Sequence, residues 1–385
     1  LSLEVFRAFL MLGLTSFGGP VAHLGYFRRE FVDRRKWLSE PEYAAILGLC
    51  QFLPGPASSQ TGFCIGLMRA RWLGGLAAWV GFTLPSAVLM FLFAREAPWF
   101  KVSHFGTGVL HGLQLAAIAV VAQAVWTMAR NLCPDTPRRV LAVAGLLVVS
   151  LVPGSIGQLA VLTVGAGAGR LFLKVPAAAV AETDISLSRR AGVVCLAAFL
   201  LLLAFAIIVR GGGNLGLFNA FYRTGALVFG GGHVVLPLLH DAIVSPGWVP
   251  AGAFLSGYGA AQAMPGPLFT FAAYLGALSS AGAGGVQGAM IAVAAIFLPG
   301  LLLVAGILPF WHEFRQRTGV AAAVAGLNAA VVGLLAYALI GLLHFGTIHN
   351  VFDFAIAVLA LLALTLRHMP PILVVAGCAI AAAVS

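Results

Sequence analysis

Long apolar stretches recur along the whole chain, separated by short polar or charged loops. They fall at 5–27, 42–68, 72–94, 104–129, 139–152, 156–173, 191–209, 215–239, 252–278, 286–309, 319–343, 352–366 and 370–385. Most are long enough to cross about 30 Å of hydrocarbon as a helix. None shows the short alternating pattern of an outer-membrane barrel. The pattern therefore predicts an all-α, polytopic integral membrane protein. The polar run Glu182 to Arg190 predicts a linker at 182–190, between an N-terminal repeat at 1–181 and a C-terminal repeat at 191–385.

The two halves carry the same interruptions. Trp37 to Pro56 ends in Gln51-Phe52-Leu53-Pro54-Gly55-Pro56, and Trp248 to Pro267 ends in Gln262-Ala263-Met264-Pro265-Gly266-Pro267. Residue 37 matches 248, 48 matches 259 and 56 matches 267, the same shift of 211 positions each time. Upstream lies a second pair, Phe17-Gly18-Gly19-Pro20 with His23 against Phe229-Gly230-Gly231-Gly232-His233. Helix breakers at corresponding places in two halves of a membrane protein point to a transport site.

Loop charge assigns sides, because Lys and Arg gather in cytoplasmic loops. The stretch 42–68 has Arg28, Arg29, Arg34, Arg35 and Lys36 before it and Arg69 and Arg71 after it. Both its ends read as cytoplasmic, so it is expected to be a re-entrant hairpin broken at Pro-Gly-Pro. Its counterpart 252–278 has no Lys or Arg in either flank and is expected to enter from outside. Two inverted homologous halves follow from that placement. Arg315, Arg317 and Arg367 read as inside, and 344–351 as outside. Arg130, Arg138, Arg139 and Arg210 all read as inside, with three apolar runs between them. An even number of crossings is needed, so one run, 139–152 foremost, is expected not to span.

Composition narrows the function classes. The chain is 61% hydrophobic and 9% charged, with a formal net charge of +10. The basic residues sit in short loops as orientation signals, and no soluble domain offers a basic face to nucleic acid. The chain opens on an apolar segment carrying Glu4 and Arg7, and no cleavable signal is expected. Cys50, Cys64, Cys133, Cys195 and Cys378 lie far apart, without metal-ligand or disulfide spacing. No metal and no cofactor is expected. Enzyme signatures are missing: there is no HExxH, Walker loop or supported Ser/His/Asp order.

The breaks carry the candidate chemistry. Pro56 and Pro267 suit the first turn of a new helix. The half-helix beyond each aims unpaired N–H groups and partial positive charge at the break, which favours anions. Ser58, Ser59, Gln60 and Thr61 follow the first break and Thr270 the second. Gln51 and Gln262 precede them. The Phe-Gly-Gly elements allow close backbone approach or simply tight helix packing. His23 and His233 are candidates for proton coupling, or for ordinary hydrogen-bonded interface histidines. Arg223 lies inside an apolar run, where it either serves a dianion or snorkels to the edge. Arg71 is a candidate for a basic mouth.

These motifs resemble the chromate ion transporter (CHR) family in its long, two-domain form. The resemblance rests on Phe17-Gly18-Gly19-Pro20 with His23, Gln51-x-x-Pro54-Gly55-Pro56, Phe229-Gly230-Gly231-Gly232-His233 and Gln262-x-x-Pro265-Gly266-Pro267 with Tyr274-Leu275-Gly276. It implies a multi-pass protein of a prokaryotic inner membrane that exports chromate, driven by the proton motive force, and confers chromate resistance. The expected partners are chromate or a similar oxyanion and membrane lipid, with a homodimer left open. Ala251 and Ala253 stand where the first half has Glu40 and Glu42, which weakens a mechanism needing symmetric acids there. Sulfate or another oxyanion as substrate, and an anion channel, remain the alternatives; a membrane-embedded enzyme ranks below both, for want of a catalytic constellation.

Overall fold

The structure is a computed structural model describing residues 1–100, 102–152, 154–174, 187–209, 211–311, 318–344, 347–367 and 369–384. Its elements are all helical among these residues. Most of the expected linker, 182–186, lies outside them, as do Arg210, Arg315 and Arg317.

The first half begins with α1 (Ser2–Thr15) and α2 (Gly19–Arg28), which continues as a π-helical turn over Arg29–Arg34. These two fold back on each other, since the Phe9 ring packs on both Phe27 and Phe31. The next helix, α3 (Glu40–Phe52), starts at a capping box in which Ser39 and Glu42 satisfy each other's orphan amides. It ends at the Pro-Gly-Pro break, and α4 (Ala57–Phe100) follows.

α4 is two helices rather than one long span. At Ala70 (φ −146°) and Arg71 (φ 54°, ψ −149°) the backbone leaves helical geometry and the chain reverses. Gly66 and Gly74 meet backbone to backbone across that turn, and Gly75 lies on Phe63 and Leu67. A side chain at either of the first two would drive the arms apart. α3 packs against α4 beyond the break, with Cys50 against Cys64.

α5 (His104–Leu132), α6 (Thr136–Leu151) and α7 (Ser155–Phe172) complete the half, and α8 (Arg189–Ile208) follows. With 16 residues, α6 is shorter than the roughly 20 that a perpendicular span needs.

The second half repeats the order. It runs through α9 (Gly213–Leu227), a break, α10 (Val235–Leu239) and a π-helical turn over His240–Val244. Then come α11 (Ala251–Ala263), the second Pro-Gly-Pro, α12 (Phe271–Leu278) and α13 (Gly285–Ile307). α14 (Thr318–His344), α15 (Val351–Thr365) and α16 (Pro371–Val384) end it. α8 has no counterpart in this order.

The halves are interleaved rather than side by side. α14 of the second half packs along α6 and α7 of the first, while α15 and α16 pack against α5. Glycines make these approaches close: Gly145 lies on the Ala330 backbone, Gly169 on Ala322 and Gly326, and Gly112 on Cys378. Among the described residues five helices are long and apolar enough to cross a membrane, counting α4 as continuous. These helices and the shorter α6 and α15 carry large exposed apolar side chains such as Leu92, Leu147, Leu201 and Leu359. That is the surface of a polytopic membrane protein, where lipid replaces water.

Candidate functional site

All four breaks meet. Backbone geometry there is open only to glycine, with φ of 101° and 77° at Gly18 and Gly19 and 117° at Gly55. The second half matches, with 80° and 131° at Gly230 and Gly231 and 90° at Gly266. The Gly55 amide donates to the Val228 carbonyl at 2.7 Å, and the Gly266 amide to the Ser16 carbonyl at 2.9 Å. Val228 immediately precedes Phe229, and Ser16 immediately precedes Phe17. Each Pro-Gly-Pro is therefore bonded to the Phe-Gly-Gly of the other half.

A third matched pair completes the arrangement. Leu84-Pro85-Ser86 in α4 corresponds to Leu298-Pro299-Gly300 in α13, at a shift of 214 positions. A Cβ built on Gly55 would lie 3.2 Å from the Gly300 Cα, and one built on Gly266 2.7 Å from the Ser86 Oγ. So each tip also rests on the other half's Leu-Pro element. A gap-free comparison misses this pair. The loop between α12 and α13 is longer than the turn at Ala70 and Arg71, which moves the shift from 211 to 214.

The polar residues around the tips are not equivalent. Gln60 is fully buried and its amide donates to the Pro54 carbonyl at 2.9 Å and to the Gly300 carbonyl at 3.0 Å. It bridges the first tip to the second half. Ser58, Ser59 and Thr61 are buried beside it. The Pro56 carbonyl accepts the Gln60 amide at 3.0 Å, so Pro56 caps the new helix rather than sitting in its first turn. Pro267 does the same, accepting the Thr270 amide at 3.0 Å and its hydroxyl at 2.8 Å.

Of the paired glutamines, Gln262 is half-buried while Gln51 is exposed on α3. The His233 ring bonds the Tyr258 hydroxyl at 2.9 Å, tying the Phe-Gly-Gly element to α11. His23 is buried edge-on to Phe82, with its ring against the Ser16 backbone. Neither His23 nitrogen makes a geometrically sound hydrogen bond. Arg223 is half-buried about one turn before the Val228 break. Arg71 is exposed at the reversal in α4, about 20 Å of helix from Pro56.

Buried polar atoms that the protein leaves unpaired gather here. Among the described residues they include Ser16 Oγ, both His23 nitrogens, Ser59 Oγ, Gln60 Oε1, Thr61 Oγ1, Thr83 Oγ1, Gln262 Nε2 and Asn328 Oδ1. Buried polar atoms are normally paired, which makes this concentration a candidate site. The Ser16, Ser59, Thr61 and Thr83 hydroxyls and the Gln262 amide nitrogen can donate to an anion, whereas Gln60 Oε1 and Asn328 Oδ1 only accept. No cluster of metal-ligand side chains is present among the described residues.

An acidic pair also emerges. Glu30 and Asp241 are separated by the same 211 positions and sit on the two matched π-helical turns. Single-turn π segments inside helices are frequent at functional sites. Neither acid has a sequence motif around it; only the constant shift could have found them.

The model of the chromate transporter family matches residues 3–171 and again 215–383. The chain belongs to the chromate transporter family. The two matched regions contain the two halves and leave α8 between them. The chromate transport protein of Pseudomonas aeruginosa is 30% identical over 339 residues, covering 86% of this chain and 79% of that protein. The probable chromate transport protein of Synechococcus elongatus is 27% identical over 361 residues, covering 93% and 88%. The chromate transport protein of Cupriavidus metallidurans is 26% identical over 381 residues, covering 97% and 90%. No solved structure matches at a significant level. The family's duplicated model thus falls on the chain as the matched breaks do.

Proposed function

We propose that the chain is a secondary transporter exporting chromate across a prokaryotic inner membrane at the expense of the proton motive force. The observation that carries this reading is the reciprocal bonding of Gly55 to Val228 and Gly266 to Ser16. It gathers four helix ends, one from each break, around a common centre. Half-helix amide dipoles, Ser58, Ser59 and Gln262 then surround one tetrahedral dianion, and Arg223 supplies net positive charge. Gln60 holds the first tip rather than the substrate. Three relatives named for chromate transport support the choice of substrate. Sulfate has the same shape and charge, and a site of dipoles and one guanidinium takes it less selectively.

The folded-back pairs enter the membrane from opposite faces in this reading. Arg69 pairs with Glu4 at 3.4 Å and stacks over Trp37 at 5.0 Å, so the ends of both first-half hairpins share one basic level. Loop charge places that level in the cytoplasm. The second arm of α4, α5, α6 and α7 make four crossings and the first copy ends where it began, so 139–152 spans in this reading, against the loop-charge expectation. The added helix α8, 20 residues long, then starts the second copy on the opposite face. Rocking one half against the other alternates access to the centre.

The test is chromate flux in vesicles under an imposed pH gradient. Gln262→Ala is expected to slow flux about tenfold or more, the effect of removing one buried hydrogen bond to a charged ligand. Gln51→Ala, on an exposed position, is expected to leave flux unchanged. Flux that ignores the pH gradient, or conductance far above carrier turnover, counts against the exporter and for a channel.

A further inference from the structure

A half-open chamber of about 500 Å³ lies away from the four breaks, lined in part by Gln158 of α7, His240, Asp241 and Ser245 of the second half, and Tyr337 of α14. The Asp241 carboxylate accepts from the Gln158 amide at 2.7 Å and lies 4.0 Å from the His240 Nδ1. His240 in turn packs edge-on against Phe254. Leu334 of α14 also lines the chamber, and Val331, one helical turn or about 5 Å deeper, touches Gly230. The chamber therefore stands directly over the second Phe-Gly-Gly break.

The two matched acids differ in one respect. Glu30 is held by Arg34 at 3.0 Å and Arg35 at 2.6 Å, two permanent cations. Asp241, its counterpart, has a neutral amide and an imidazole as its partners among the described residues. The other charged or titratable residues on the helices packed around this turn are Arg170 of α7, Tyr222 and Arg223 of α9, Tyr258 of α11, and Tyr337 and His344 of α14. None of them is a carboxylate. One acid of the pair is flanked by two permanent cations, and the other by an amide and an imidazole.

Resting on the transport reading above, we infer that Asp241, with His240 beside it, is the site at which an external proton enters the transport cycle. A proton from the outer water forms one O–H bond on the carboxylate and removes one negative charge from the chamber. The reverse step returns the proton to water. Gln158 donates to the carboxylate and to the carbonyl oxygen of the acid alike, so the side chain keeps its position through the change. An ionised Asp241 repels a dianion rising from the centre, and the neutral acid does not. Protonation and anion passage are coupled through that single charge.

The experiment uses the full-length protein in right-side-out vesicles, with chromate flux followed as external pH varies at fixed internal pH and fixed membrane potential. Wild-type flux is expected to change up to about tenfold per unit of external pH. Asp241→Asn is expected to flatten that dependence, and Asp241→Glu to restore it. Glu30→Gln is expected to keep the wild-type profile. Infrared difference spectra of the purified protein supply a readout apart from transport: acidification should add a protonated-carboxyl band that Asp241→Asn lacks. An unchanged pH profile and an unchanged band in Asp241→Asn overturn the inference while leaving the transport reading intact. Flux that follows external sodium instead of pH overturns it too. Wild-type vesicles that move no chromate bring down the transport reading itself.

Discussion

Gln60, which the sequence repeat does not single out, ties the first tip to the second half. The repeat is blind to this because position 60 has no glutamine partner in the second half, where Phe271 stands at the same shift. What matters is a pair of carbonyls, Pro54 and Gly300, that approach one amide from two halves. Gln60→Ala strips a donor from both in a fully buried place. Leaving buried acceptors unsatisfied costs about 1–3 kcal/mol each, so the variant is expected to lose about 2–5 kcal/mol of stability. Thermal unfolding in detergent checks this; a loss below about 0.5 kcal/mol, the scale of ordinary surface changes, would dismiss the bridge. The glycines of the tips were legible as breaks because only they tolerate such φ angles. Their bonding partners were not, since a carbonyl has no signature in sequence.

At the scale of elements, hydrophobic runs located nearly every helix and parted at Arg69 and Arg71, where the chain reverses. Gly66, Gly74 and Gly75 make the return tight. Arg71 sits at that return with φ 54° and ψ −149°, a region natural to glycine. Its side chain is exposed and far from the tips. Arg71→Gly is therefore expected to raise stability by about 1 kcal/mol and to leave chromate flux unchanged. A fall in flux to the level of Gln262→Ala would return Arg71 to the substrate path. The Leu-Pro elements were missed because the loop after α12 is longer than the turn in α4, and a constant shift cannot follow a change in loop length.

At the scale of the whole molecule, the duplicated motifs marked two copies; the polar run at 182–190 put α8 in the second, whereas the two family-matched regions leave it between them. The interleaving of α14 with α6 and α7, and of α15 and α16 with α5, has no trace in a linear pattern. Small residues allow such crossings without naming their partners. The five cysteines among the described residues are all buried, which leaves a quiet background for labelling. A cysteine replacing Lys36 is expected to react with a membrane-impermeant maleimide only from the cytoplasm, and one replacing Gly247 only from outside. Reaction of both from the same face would refute opposed insertion of the two copies.

The crossed amide bonds also set an order of events during synthesis. When the first half has left the ribosome, the Gly55 amide has no acceptor, because Val228 has yet to be made. A bare amide in hydrocarbon costs several kcal/mol. The nascent first half must therefore wait beside water or an insertion partner until Val228, 173 positions after Gly55, is made. Biogenesis of this chain is late and concerted, with both copies closing together.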